Sequence, residues 1–451
     1  MGSDIVVVGV QYGDEGKGRI VDLLASAEES LVVRYGGGPN AGHTVVVDGR
    51  EFRFHNLPSG MASGRRCLIG GPCVVDLTRL EEEIERIPPL EALSHLYISS
   101  RAHVIMPYHV SQDLAEEEWR GSLGSHRTLG RDSETTVGTT RRGIGPCYAD
   151  KATRIGFRIG DLLLGSETTT LVHRTISLKR NLLKYCYGST VQDSDSAFDS
   201  DEILALIAHW RSLFGHCVVD DDEFINEARQ TGQIRVIFEG AQAFGIDLEY
   251  GRYPFVSSSV TSVGGAVTAG AHRPMVIGVT KCYAIAVGKG PMPTEFSGEP
   301  ADRIIDRGNE YGTTTGRKRR IGWIDLPLLR RAVRVNNVTA LCVTNLDVLA
   351  DLSRMGICTH YRVGDRLLRY APFRLDEWAA ASPEIKLVPG WPEVDWERIA
   401  AGGWPALPIE VKDFLEVLSQ EVGVEVSLVT FGRDRKMFVS RPPLSHLSIG
   451  S

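Results

Sequence analysis

The sequence predicts an α/β fold: one large domain over residues 1–451, with a mostly parallel central sheet flanked by helices and a phosphate-binding loop after the first strand. Three observations predict it. Apolar, β-branched runs at 5–10, 31–34, 234–238, 275–280 and 340–344 alternate with helix-like stretches, the pattern of strands buried on both faces. The first run enters a glycine-rich turn, Gly9–Gly18, and a helical spacing resumes at Ile20-Val21-Asp22-Leu23-Leu24. Two amphipathic stripes, Ile203 to Phe214 and Val411 to Val422, supply covering helices.

Taken in order, the turn Gln11-Tyr12-Gly13-Asp14-Glu15-Gly16-Lys17-Gly18 joins strand to helix. Backbone N–H groups, the helix dipole and the Lys17 ammonium would converge there on an anion. It departs from the usual phosphate loop, because Gly18 follows the lysine where Ser or Thr is required. Asp14 would repel phosphate unless a cation bridged them, which makes it a magnesium ligand, a base, or both.

A second glycine turn, Gly36 to Thr44, follows the second strand and carries Asn40, Gly42 and His43. An imidazole titrates near neutrality and suits an acid or an oxyanion partner. Gly138 to Pro146 combines hydroxyls, glycine N–H groups and guanidinium, including Thr140, and forms a further anion site. Residues 187–202 are polar and acidic and are expected to form an exposed loop. Phe238-Glu239-Gly240-Ala241-Gln242 ends a strand, so Gln242 projects from the carboxyl edge, where open α/β sheets bind ligands. Tyr311 to Arg320 is the most basic segment, a carboxylate clamp of threonines and cations. Val343-Thr344-Asn345-Leu346-Asp347 closes another strand with a carboxylate able to accept from a guanine edge. Residues 384–408, with four prolines and three tryptophans, read as irregular.

Composition bounds the partners. Among 451 residues, 42% apolar and 24% charged, 50 basic and 57 acidic side chains leave a net charge of −7. The basic residues are scattered except near Arg317, which argues against nucleic acid as the main partner. No run has the length of a membrane span and the N-terminus enters a strand at once, so a cytoplasmic location is expected. The eight cysteines lack metal-ligand spacing and read as small buried hydrophobes.

Together and in this order, these segments resemble the adenylosuccinate synthetase family. The matches are Gln11 to Gly18, Asn40-Ala41-Gly42-His43-Thr44, Gly143-Ile144-Gly145-Pro146, Glu239-Gly240-Ala241-Gln242, Thr314-Thr315-Gly316-Arg317 and Gly322-Trp323-Ile324-Asp325. The resemblance implies a magnesium-dependent homodimeric ligase of purine biosynthesis that condenses IMP with L-aspartate at the expense of GTP. It implies catalytic roles for Asp14, Lys17, His43 and Gln242, and a metal held by Asp14 and Gly42. Asn40, Thr140, Gln242 and Ser257 would line the IMP site, with Arg154 reaching across from the partner subunit. Thr314, Thr315, Arg317 and Arg319 would grip aspartate. Gly13, Glu15, Gly16, Lys17 and Gly18, with Asn345, Asp347 and Gly432, would hold GTP.

Departures surround the pockets: Asn345 stands where the family commonly has lysine, and Ser257 where threonine is common. The alternative within the family is a phage branch that aminates dGMP, in which the resemblance implies a smaller residue at the catalytic carboxylate; Asp14 is retained here. The alternative from another class is a GTP-binding regulatory protein, which would hydrolyse GTP without aspartate.

Overall fold

The five apolar runs become five neighbouring strands at the centre of one sheet. The computed structural model describes residues 4–87, 93–122, 136–189, 195–311 and 318–444. Among these, a ten-stranded sheet comprises β1 (Ile5–Gly9), β2 (Ser30–Arg34), β3 (Arg66–Ile69), β4 (Leu96–Ser99), β5 (Val218–Val219), β6 (Arg235–Glu239), β7 (Met275–Lys281), β8 (Ala340–Thr344), β9 (Val426–Thr430) and β10 (Phe438–Ser440). Their spatial order is β10-β9-β8-β7-β1-β6-β2-β3-β4-β5. Every neighbouring pair is parallel except the edge pair β9 and β10.

The apolar runs are continuous because both faces of these strands are covered. Val6 and Val8 of β1 enter one core with Val33, Phe238, Val276 and Val343. Ile5 and Val7 enter the opposite core with Val32, Ile237, Ile277 and Cys342. Successive residues thus serve opposite layers, as the two-residue period of a strand requires.

Helix α1 (Lys17–Ala27) leaves the glycine turn and buries Ile20, Val21, Leu23 and Leu24. The two amphipathic stripes are the helices Ser200–Phe214 and Ile409–Val422, which bury Ile203, Ile207, Trp210 and Phe214, and Val411, Phe414, Leu415 and Leu418. Seven cysteines are buried, as expected, but Cys186 is exposed at the end of the helix Glu167–Cys186.

Two expectations are corrected. Residues 187–202 are not one loop: residues 190–194 lie outside the described ones, but Asp195 and Asp199 are helix caps. Asp199 accepts from the N–H groups of Asp201 and Glu202 and opens the helix at Ser200. Acidic residues favoured in loops are favoured equally at N-caps. Nor is 384–408 irregular. Ser382–Pro389 is a strand antiparallel to Arg354–Val363, and Trp396–Gly402 is a helix. The prolines 383 and 389 fall near the ends of that strand, where a missing N–H is tolerated.

None of the described helices is long and apolar enough to cross a membrane.

Candidate active site

The parallel strands point their carboxyl ends to one edge, and there the glycine turns collect. The turn after β1 is built on left-handed backbone, with φ of 114° at Gly13, 55° at Asp14 and 90° at Gly16, conformations that suit glycine and tolerate aspartate. Its inside is braced by Glu15. That carboxylate is fully buried and accepts from the N–H groups of Gln11 at 3.2 Å and Gly13 at 2.8 Å, and from Lys17 Nζ at 2.5 Å. A Cβ at Gly9 would lie 2.6 Å from Glu15 Oε2, so only glycine admits this brace. Thr344 Oγ1 donates to the Glu15 carbonyl at 2.8 Å and ties the turn to β8.

With Glu15 turned inward, Asp14 faces outward. Its Oδ2 receives Arg319 Nη2 at 2.6 Å, and the other arm of the same guanidinium donates to Glu310 Oε2 at 2.6 Å. Burial works against the Arg319 charge, but the two carboxylates outweigh it and hold the group above its ordinary value.

The second turn is gripped from behind. The buried Arg34 guanidinium donates to the carbonyls of Gly36 at 3.4 Å, Gly38 at 2.6 Å, and His55. Arg142 donates to the Pro39 carbonyl, and His55 Nδ1 donates to the Ala41 carbonyl at 2.6 Å. Gly42 follows on this held segment, half-buried. His43 then begins the strand His43–Val47, with Nδ1 2.5 Å from Glu239 Oε1 at the end of β6. Ser59 donates to the same carboxylate through Oγ at 2.5 Å and its backbone N–H at 2.8 Å. Burial alone would raise the Glu239 carboxyl, but His43 and Ser59 outweigh it and hold it below the usual carboxylate range. A Cβ on Gly18 would sit 2.8 Å from His43 Cβ, so the bare glycine lets His43 lie against the start of α1.

Three of the expected nucleotide residues meet on one hydrogen-bonded chain. Gln242, at φ 56° just past β6, donates through Nε2 to Asn40 Oδ1 at 2.9 Å. Ser259 Oγ donates to Gln242 Oε1 at 3.3 Å, and Ser257 Oγ lies 3.0 Å from Ser259 Oγ. Thr140 stands apart and exposed, on a turn anchored by Gly138 N to Glu117 Oε1 at 2.6 Å and Gly143 N to Asp113 Oδ2 at 3.0 Å. Arg154 is exposed in left-handed conformation at the C-cap of the helix Ile144–Thr153. Thr314, Thr315 and Arg317 lie outside the described residues.

After β8, Asn345 takes φ 64° and its Nδ2 donates to Tyr283 Oη at 3.3 Å. Asp347 lies beside the Gly432 N–H. Burial raises its carboxyl, that backbone bond opposes the rise, and its buried Oδ1 has no partner within the protein. Such an oxygen is costly unless a ligand or an ordered water supplies the donor. Arg19 holds the Gly432 segment in place, donating to the carbonyls of Gly432 at 2.7 Å, Phe431 at 3.0 Å, Asp434 at 2.6 Å and Met437 at 2.7 Å.

Sequence reasoning gave no role to Glu239, Glu310 or Arg34. A charged residue closing the apolar run Val236-Ile237-Phe238 was the one available signal for Glu239. Arg319, one of the residues expected at aspartate, pairs with Asp14 in this structure.

The comparisons with known proteins concern the chain as a whole. The profile of the family described as adenylosuccinate synthetase matches residues 6–439. Adenylosuccinate synthetases of Halothermothrix orenii and Brevibacillus brevis are each 39% identical, over 97% of this chain and 98% of theirs. A fully ligated adenylosuccinate synthetase from Plasmodium falciparum superposes with a TM-score of 0.85 at 31% identity, covering 98% of this chain and 100% of that one. A cyanophage S-2L succinoaminodeoxyadenylate synthetase bound to dGMP and dATP shares the fold, at 19% identity and a TM-score of 0.57 over 99% of this chain and 98% of that one. The turns that converge on the carboxyl edge, and the likeness that runs through nearly every element carrying them, place this chain in the adenylosuccinate synthetase family.

Proposed function

We propose that this chain joins IMP to L-aspartate at the expense of GTP, giving adenylosuccinate, GDP and phosphate through a 6-phosphoryl intermediate. Asp14 takes the proton from N1 of the hypoxanthine, and the 6-oxygen then attacks the γ-phosphorus as the bond to the β-phosphate oxygen breaks. His43, with Nδ1 held by Glu239, presents Nε2 to the departing oxygen, and Lys17 and the N–H groups of the Gly13–Gly18 turn offset the phosphate charge. The aspartate amine then attacks C6, the C6–O bond breaks, phosphate leaves with the former 6-oxygen, and the amine loses a proton.

The remaining residues bind and orient. Asn40, Gln242, Ser257 and Thr140 hold IMP, with Arg154 supplied by the partner subunit of a homodimer. Thr314, Thr315 and Arg317, joined by Arg319, grip the aspartate carboxylates. Asp347 and Gly432 read the guanine edge beside Asn345, and Glu15 acts from inside the turn. A single carboxylate, Asp14, and a single carbonyl, Gly42, are the donors expected for magnesium, which keeps waters and takes its other ligands from phosphate; the ion would neutralise charge on the transferred group. The chemistry suits a cytoplasmic enzyme of purine biosynthesis.

The observation that carries this reading is the buried His43–Glu239 pair at the end of β6, the strand beside β1, whose own turn carries the outward-facing Asp14. The test is direct: purified protein with magnesium, IMP, GTP and L-aspartate gives the absorbance rise of adenylosuccinate, and omission of aspartate abolishes it. The dGMP reading requires room for a 2-amino group, which would press against the retained Asp14. Turnover with dGMP and none with IMP would establish it instead. Aspartate-independent GTP hydrolysis would mark a regulatory GTP-binding protein.

A further inference from the structure

The charged cluster behind Asp14 reaches further than the reaction just described uses. Glu310 is fully buried at the end of the segment after the helix Glu299–Gly308. Three groups converge on its carboxylate: Lys281 Nζ and Tyr283 Oη donate to Oε1, and Arg319 Nη1 donates to Oε2 at 2.6 Å. Burial would raise this carboxyl, but the two cations and the phenol outweigh it, and it sits below the ordinary carboxylate range. Each end of the cluster touches a different substrate region. Arg319 Nη2 reaches Asp14 Oδ2 at 2.6 Å, and Tyr283 Oη receives Asn345 Nδ2 at 3.3 Å.

The five side chains Asn345, Tyr283, Glu310, Arg319 and Asp14 therefore form one unbroken chain from the expected donor-base pocket to the expected base. Its middle is stiff. The Gln11 amide, in the turn that carries Asp14, donates to the carbonyls of Lys281 at 3.4 Å and Tyr283 at 3.1 Å and accepts from Lys281 N at 3.2 Å. Backbone and side chains thus lock the two regions together twice. The guanidinium fork is shared between a buried carboxylate and an outward one, and a divided fork has a natural pivot. The Glu310 arm rests on a buried carboxylate that Lys281 and Tyr283 also hold, so it stays, whereas the Asp14 arm must yield when Asp14 meets a substrate.

We propose that Glu310 is a positioning residue: it is the pivot of Arg319, and through Tyr283 it couples occupancy of the donor-base pocket to release of Asp14. A donor nucleotide that draws Asn345 toward its base alters the load on Tyr283, hence on Glu310, hence on the arm that covers Asp14. The coupling requires only that the donor contact Asn345 differently in the two arrangements of Arg319. This rests on the reading of the two pockets given above.

The test is calorimetric titration of IMP into the magnesium-containing full-length protein, with and without saturating GDP, for the wild type, Tyr283→Phe and Glu310→Gln. In the wild type GDP tightens IMP binding by about five-fold or more, within the range of inter-site coupling. Tyr283→Phe keeps the ring volume and removes the O–H; its factor falls toward one while its affinity for each nucleotide alone stays near the wild-type value. A merely structural defect would weaken the single affinities as well. Glu310→Gln also lowers the factor, and Glu310→Asp, which keeps the charge, recovers part of it. A wild-type factor of one, or an unchanged factor in a cooperatively folding Tyr283→Phe protein, overturns the proposal. The pocket reading fails separately: wild-type protein would then make no adenylosuccinate, or would fail to bind IMP or GDP at all.

Discussion

His43 Nδ1 lies 2.5 Å from Glu239 Oε1, and that carboxylate is fully buried and shared with both donors of Ser59. The pairing fixes which imidazole nitrogen carries the internal hydrogen bond and which faces outward. Glu239→Gln keeps the size and removes the charge, so the imidazole exchanges a buried carboxylate partner for a neutral amide and its hold on Nδ1 weakens. Turnover is expected to fall by about 10²–10⁴-fold, the range for a misplaced general acid, with a much smaller change in the KM for IMP. Steady-state kinetics at saturating substrates would check this, and an unchanged kcat would count against the His43 role.

The unpartnered Asp347 Oδ1 predicts base discrimination. Asp347→Asn replaces an acceptor by a donor at the guanine edge. With hydrogen bonds to a charged group contributing about 1.5–3 kcal/mol, kcat/KM for GTP should drop by roughly 10- to 150-fold. The value for ATP should change little, which a side-by-side assay of the two donors would measure.

Why these two sites were unequally legible follows from chain distance. The five strand runs could be read because covering both faces forces unbroken apolar sequence, and they became β1, β2, β6, β7 and β8. The short outer strands, such as Val218–Val219, leave too few residues for a pattern. Ser382–Pro389 was hidden by its two prolines. Among the site residues, Asn40 lies on a glycine turn and Gln242 just past a strand end, whereas Ser257 sits in an irregular segment and was named only through the resemblance; all three meet on one chain of hydrogen bonds. The pairing of Asp14 with Arg319 joins segments 305 positions apart by their numbering, and no local pattern announces such a contact. Glu239 sat inside a recognised motif, yet its function depends on His43, which arrives from another strand.

Stability should depend on pH through His103. Its imidazole is buried, with Nδ1 unpartnered, and burial, reinforced by Lys151 and Arg158, pushes it down to about 4. The unfolded chain binds that proton near about pH 6.5, so it holds more protons than the folded chain between these values. This contribution is fully present above about pH 6.5 and is lost as the pH falls toward 4. Urea unfolding midpoints measured from pH 4 to 7 should rise and then level, and His103→Gln should flatten the rise. An unchanged slope in that variant would remove His103 as the cause.

Asp14 is the residue on which the reaction turns. Asp14→Asn is isosteric and cannot accept the N1 proton, so adenylosuccinate formation should fall by about 10²–10⁴-fold. IMP binding measured by calorimetry should persist. Near-normal turnover would mean that another group removes the proton.

The route through a 6-phosphoryl intermediate is tested most directly by the fate of one oxygen. With IMP labelled by oxygen-18 at the 6-position, the enzyme, magnesium, GTP and L-aspartate should release inorganic phosphate carrying the label, one atom for each adenylosuccinate formed. Label recovered in water, with phosphate unlabelled, would contradict transfer of the γ-phosphoryl group to the purine.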